Sequence, residues 1–288
     1  MDRPTVVCLS RPNTDSSLID TVSRIAQNYE KAVKHVTVGN DGDSIKWSNV
    51  TVTIAIGGDG TFLEGVRLTA PSGTPLLGVN TGTLGFLSRI PPSALAAALD
   101  VTLAGESDVI EREMLAVGGE VSGIGINDVM LEPVPPESPV DRKVATIHAY
   151  IDDEYVGEFT GSGIAVATPT GSTAVAFSAG GPVHYPNANS SLQLTPLHTH
   201  NAGVRPVIVD SDTVITLLPD DEIDVAIDGG RTHATIGEGT ELTVTGADQS
   251  ARIVRTEFDE SFFDSMAGKL GWGIRGVDEP GPREPDSV

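Results

Sequence analysis

The chain has 288 residues, enough for about two domains or one large one with a proper core. Its 18 basic residues stand against 40 acidic ones, a net charge of −22, which makes nucleic-acid polymers and anionic lipid surfaces poor partners. One cysteine, Cys8, excludes an internal disulfide and a cysteine-rich zinc site, and no uninterrupted apolar run approaches a membrane span of roughly 20 residues.

The N-terminal MDRPTVVCLS has neither the basic stretch nor the long apolar run of a signal peptide, so a soluble, cytoplasmic protein is expected. Simple solubility would account for the acidic surface. Adaptation to high salt would too, and the even spread of the acids along the chain favours that reading.

In chain order, residues 5–9 (TVVCL) read as a strand and Ser17–Tyr29 as an amphipathic helix with apolar Leu18, Val22 and Ile25. Residues 35–38 read as a short strand, 50–56 (VTVTIAI) as a buried strand, 62–68 as the next helix and 75–79 (PLLGV) as another buried strand. Strands alternating with helices predict an α/β N-terminal domain with a parallel layer over residues 1–105. From 106 to 250 the short segments IHAYI, GIAVA, VIVD, TVITLL, IDVAI and ELTVT predict a β-rich, β-sandwich-like and largely antiparallel C-terminal domain. Residues 251–275 read as a helix-forming segment packing back on the body, its aromatics Phe258, Phe262, Phe263 and Trp272 in the core. The stretch 276–288, rich in Pro, Glu and Asp, reads as a disordered tail.

Two glycine-rich turns follow β-branched apolar runs and open helix-like segments, where backbone N–H groups bind phosphate. In the first, GGDGT, Gly57, Gly58 and Gly60 allow close approach and unusual dihedrals, Thr61 can cap the helix, and Asp59 can accept a proton from an attacking hydroxyl. An ordinary strand-to-helix turn with Asp59 as a cap is the alternative. The chain has no GxxxxGK[ST] loop. In the second, TPTGSTAVAFSAGGP (168–182), Ser172 and Thr173 offer hydroxyls and N–H groups, and small residues leave room for a flat ligand. Between the two turns, Asn127 and Asp128 of GINDVML suit an adenine edge and a ribose diol, or else a plain turn between strands. His198 and His200 would face one side of a strand, but no third metal ligand is near and no GxSxG occurs.

The motifs GGDGTFLEGVR, PLLGVNTGTLGFL, INDVML, TPTGSTAVAFSAGGPV, TPLHTHNAGVRPVIV, AIDGG and KLGW, in this order over about 50–275, resemble those of the NAD kinase family. The resemblance implies that family's fold, which it shares with diacylglycerol kinases, and phosphorylation of NAD to NADP. It also implies a cleft between the domains, a homo-oligomer (dimer or tetramer), Mg²⁺ with no direct protein ligand, and ATP or polyphosphate as donor. Carried over, it makes Asp59 the base for the adenosine ribose 2′-hydroxyl and has Gly57, Gly58, Gly60 and Thr61 hold the donor phosphates. Asn127, Asp128, Ser162, Ser172, Thr173, Ala174, Val175 and Ser178 line the NAD site.

This chain departs from the family's usual residues at several places: Asp128 stands for Glu, Ser162 for Asp, Val175 for Tyr, Thr83 for a basic residue and Gly230 for Gln. The phosphate side is intact and the acceptor side altered. A kinase with a changed nucleotide acceptor and a non-catalytic dinucleotide sensor therefore stand as alternatives. A lipid kinase can share GGDGT but needs an exposed apolar entrance or membrane patch, and neither shows in this acidic sequence.

Overall fold

The computed structural model describes residues 3–39, 45–82, 85–135, 144–186, 190–201 and 203–273. Thr83 and the expected tail at 276–288 lie outside them. The first unit runs β1 (Thr5–Ser10), α1 (Ser16–Asn28), β2 (Ala32–Thr37), β3 (Val50–Gly57), α2 (Asp59–Thr69), β4 (Leu76–Asn80), α3 (Leu95–Ala104) and β5 (Asp108–Arg112). Every residue of β1 is buried, the mark of a central parallel strand covered on both faces. The Asp15 side chain accepts a hydrogen bond from Ser17 N and so caps α1, which buries Val22, Ile25 and Ala26 against the sheet. Cys8 is buried among these strands, and burial pushes its thiol up to about 12.

The second unit runs β6 (Leu115–Gly119), β7 (Gly123–Gly125), β8 (Asp128–Pro133), β9 (Ala145–Ile151), β10 (Glu154–Gly161), β11 (Gly163–Ala167), a single-turn α4 (Val175–Ser178), β12 (Ser191–Leu197), β13 (Val207–Asp210), β14 (Ile215–Pro219), β15 (Ile223–Ile227), β16 (Thr232–Ile236) and β17 (Leu242–Gly246). These strands form two six-stranded sheets, ordered β10-β9-β14-β17-β6-β7 and β13-β12-β11-β8-β15-β16. All their pairings are antiparallel. Alternate residues point inward, and Ile147, Ile215 and Val244 of one sheet share a core with Leu131, Val166 and Val225 of the other.

The chain then returns through β18 (Ala251–Arg255) before α5 (Phe262–Leu270). The first sheet is ordered β2-β1-β3-β4-β18-β5, so residues 251–255 are a strand rather than part of a helix. Ile253 and Val254 are β-branched and buried between β4, to which β18 runs parallel, and β5, to which it runs antiparallel. Phe262 enters the core as expected. Phe263 and Trp272 do not: they are 55% and 53% exposed, and Phe263 stacks on Tyr185. Among the described residues no helix is long and apolar enough to cross a membrane.

Candidate active site

The parallel strand β3 delivers Gly57 to the carboxyl edge of the sheet, where open α/β sheets bind ligands, and α2 starts two residues later. Close approach, not unusual dihedrals, is what the glycines supply. A side chain on Gly57 would overlap Thr61, whereas Gly58 has φ −85° and open space around it. Thr61 does not cap the helix: its N–H donates to the Gly58 carbonyl, and its hydroxyl is fully buried with no partner among the described residues. Asp59, the first residue of α2, is gripped by the segment after β4. Phe86 N donates to Oδ2 at 2.8 Å, while Leu87 N and Ser88 N donate to Oδ1 at 3.0 and 3.3 Å. A carboxylate oxygen has two lone pairs, so Oδ2 keeps one open. The gripping segment is itself tied down, since Arg89 Nε donates to the Phe86 carbonyl at 2.9 Å.

On the sandwich side, Asn127 and Asp128 lead into β8. Their backbone is set by a residue that the sequence reading did not single out, Asp228. Its carboxylate accepts hydrogen bonds from Ile126 N at 2.9 Å, Asn127 N at 2.7 Å and Asp128 N at 3.3 Å. Asp228 holds a left-handed φ of 48°, which aspartate tolerates better than most residues. The Asp128 carboxylate is 5% exposed and meets no donor among the described residues. Burial, then Asp228 and Glu132, push its acid up to about 7. Burial raises Asp228 too, but the three N–H donors and Arg231 oppose it, leaving Asp228 the readier of the two to ionise. The buried Oδ1 of Asn127 likewise has no partner among the described residues. Two polar side chains on successive residues thus lack a partner among the described residues.

The TPTG turn packs on this segment. Thr168 N donates to the Asn127 carbonyl at 2.9 Å, and any side chain on Gly171 would overlap that carbonyl. Ser172 departs from the expectation of a free hydroxyl. It is fully buried, donating to the Pro169 carbonyl at 2.8 Å and accepting from His184 N at 2.9 Å, so it fixes the turn. Thr173 lines the cleft between the two units with Phe62, Phe86, Leu87, Ile126 and Thr170. Ala174 N donates to the Gly171 carbonyl, and half-buried Val175 begins α4.

Ser162 and Ser178 fall elsewhere. Ser162 is exposed and precedes β11, whose opposite end pairs Ala167 with Asp128, about 17 Å away at strand rise. Its N–H donates to Leu197, beside the hollow where Ser178 meets His198, Asn201 and Arg205. His198 and His200 lie past the end of β12, in a turn with His198 at φ 44°, and share no strand face.

Two further residues meet at the phosphate loop. The point where Gly60 would carry a Cβ is 3.1 Å from Arg231 Nη2 and 3.2 Å from Arg11 Nη2. Arg11 follows β1 at the same sheet edge. Arg231 reaches over from the sandwich and donates to the Gly60 carbonyl at 2.9 Å. Asp228 and Arg231 share one turn, so a single loop seats the Asn127–Asp128 pair and touches the phosphate loop. AIDGG contains Asp228, but the sequence does not show what these side chains touch, because Asp228 and Arg231 act across 100 to 171 residues.

The chain is similar to known proteins of one family. Residues 10–107 match the family described as ATP-NAD kinase N-terminal domain, and 126–256 match the ATP-NAD kinase C-terminal domain. An NAD kinase of Fusobacterium nucleatum is 30% identical over 85% of this chain and 92% of its own length. One from Bacteroides fragilis is 33% identical over 77% of this chain and 76% of its own. The fold matches an NAD kinase from Archaeoglobus fulgidus solved in complex with ATP, with TM-score 0.77, 21% identity and coverage of 92% of this chain and 99% of that one. It also matches yeast NADH kinase solved with NADH, with TM-score 0.78, 20% identity and coverage of 96% and 91%.

Proposed function

The chain belongs to the NAD kinase family, and from that premise we propose how its own residues convert NAD to NADP. The observation that carries the reading is Asp59, fixed by three backbone N–H groups at the start of α2 with one Oδ2 lone pair open. Asn127 and Asp128 hold the adenine and ribose of NAD, with Asp128 accepting from the diol. The 2′-oxygen forms a bond to the terminal phosphorus of ATP or polyphosphate as the bond from that phosphorus to its bridging oxygen breaks. The hydroxyl proton passes to Asp59 Oδ2, and the shortened donor leaves with the electron pair. Phosphoryl transfer asks little covalent work of a protein, so positioning and charge dominate.

Mg²⁺, when bound with the donor, would supply positive charge to offset that of the donor phosphates. The donor phosphates and water would complete its shell with no direct protein ligand, which leaves Asp59 Oδ2 to take the proton. Exposed Val207 and Ile208 on the edge strand β13 support a homodimer or homotetramer. A cytoplasmic location fits the substrates.

Asp59→Asn tests the reading. It keeps the shape and should leave NAD binding near normal while NADP formation falls by about 10²–10⁴-fold, the usual weight of general base catalysis. Near-normal turnover in that variant would remove Asp59 from the mechanism.

A further inference from the structure

We propose that Arg11 and Arg231 form a clamp on the donor's terminal phosphates, one arginine from each domain, with Arg231 touching the phosphoryl group in transfer. The proposal rests on the kinase reading above and adds to it the residues that position the donor.

Both guanidinium groups point at Gly60, one residue beyond Asp59. Neither is paired with a carboxylate among the described residues. Among the described residues Arg231 donates to the carbonyls of Asp228, Gly229 and Gly60, and the Arg11 guanidinium has no side-chain partner. Two like charges meet against one glycine, Arg231 offset only in part by the Asp228 carboxylate, and an anion that joins them relieves their repulsion. The spacing suits a phosphate, since charge-assisted N–H···O bonds of about 2.7–2.9 Å from both Nη2 atoms can meet on one group. A chain of net charge −22 repels a polyanionic donor everywhere else, so local positive charge has to be supplied at the loop itself.

The two arginines differ in place. Arg11 is exposed and extends the sheet edge of the first domain. Arg231 is half-buried and lies in the turn that seats Asn127 and Asp128, between the ribose site and the donor site. Arg11 therefore acts on donor affinity. Arg231 stands where phosphorus passes from donor to acceptor, where an arginine stabilises the charge of the transition state.

The test uses the full-length protein with Arg11→Gln, Arg231→Gln and Arg231→Lys. Steady-state rates would be measured with MgATP and NAD, together with calorimetric titration of tripolyphosphate and of NAD. Arg11→Gln should raise KM for ATP and weaken tripolyphosphate roughly tenfold, with kcat and NAD affinity unchanged. Arg231→Gln should lower kcat by about 100-fold with NAD affinity retained, and Arg231→Lys should recover part of that loss. Wild-type tripolyphosphate affinity in both glutamine variants would overturn the clamp. So would loss of NAD binding in Arg231→Gln, which would make Arg231 a support of the 228–231 turn alone. If the wild type formed no NADP, the kinase reading would fail while the tripolyphosphate titration still decided the clamp.

Discussion

Taking the solution from about pH 8 to about pH 5 should remove most of the affinity for NAD through one side chain, Asp128. Its acid stands at about 7 because burial, and then the neighbouring carboxylates of Asp228 and Glu132, disfavour the charge. The ribose diol donates to the ionised form, so each pH unit below 7 costs about tenfold in affinity, and two units cost on the order of 100-fold, or about 2.7 kcal/mol. The free protein should show the opposite slope. An acid whose folded value of about 7 lies above its ordinary 3.8 binds more protons folded than unfolded between those points, so stability falls as the pH rises through that window. The whole interval corresponds to ~4 kcal/mol. Calorimetric titration of NAD and thermal unfolding, each run across this range, measure the two slopes. Asp128→Asn should flatten both and stabilise the free protein near neutrality. A wild-type affinity that does not change with pH, or a slope that survives in Asp128→Asn, would refute the assignment.

Gly171→Ala drives a methyl group into the Asn127 carbonyl, and overpacking against backbone costs about 1–3 kcal/mol or more, so both the unfolding temperature and NAD affinity should drop. Gly58→Ala meets nothing within 4 Å at φ −85° and should shift stability by less than about 1 kcal/mol in the same melting experiment. With a net charge of −22 repelling itself, the unfolding temperature should climb as KCl is raised towards molar; a flat or falling curve would count against salt adaptation. The family resemblance implies an acid facing the cationic nicotinamide where this chain has the exposed Ser162. An exposed ion pair is worth at most ~1 kcal/mol, so initial rates with NADH and NAD should agree within about fivefold.

What the sequence disclosed and what it hid divide by the distance over which each feature is made. Strands β1, β3 and β4 were legible because a parallel strand covered on both faces is a run of apolar residues, whatever it pairs with. The GGDGT and TPTGST turns were legible because glycine is required wherever two chains touch, as Gly57 and Gly171 show. β18 was missed because its partner β4 lies far back in the chain: Ile253 pairs with Leu76, and five residues of β propensity beside a helical stretch read locally as more helix. Ser172 was misread for a related reason. A serine in a polar turn looks available until His184 and Pro169 are found to occupy it.

The working geometry of the site is almost wholly of this second kind. Asp59 takes its orientation from the N–H groups of Phe86, Leu87 and Ser88, and Asn127 and Asp128 take theirs from Asp228. Backbone donors carry no residue identity, so no motif records them. AIDGG places Asp228 in a motif, but nothing in the sequence shows that its carboxylate spends itself on three of them. That explains why candidate reacting groups could be named from the sequence while the residues that aim them could not. It also makes the turn from Asp228 to Arg231 the place where a substitution would disturb both halves of the reaction at once.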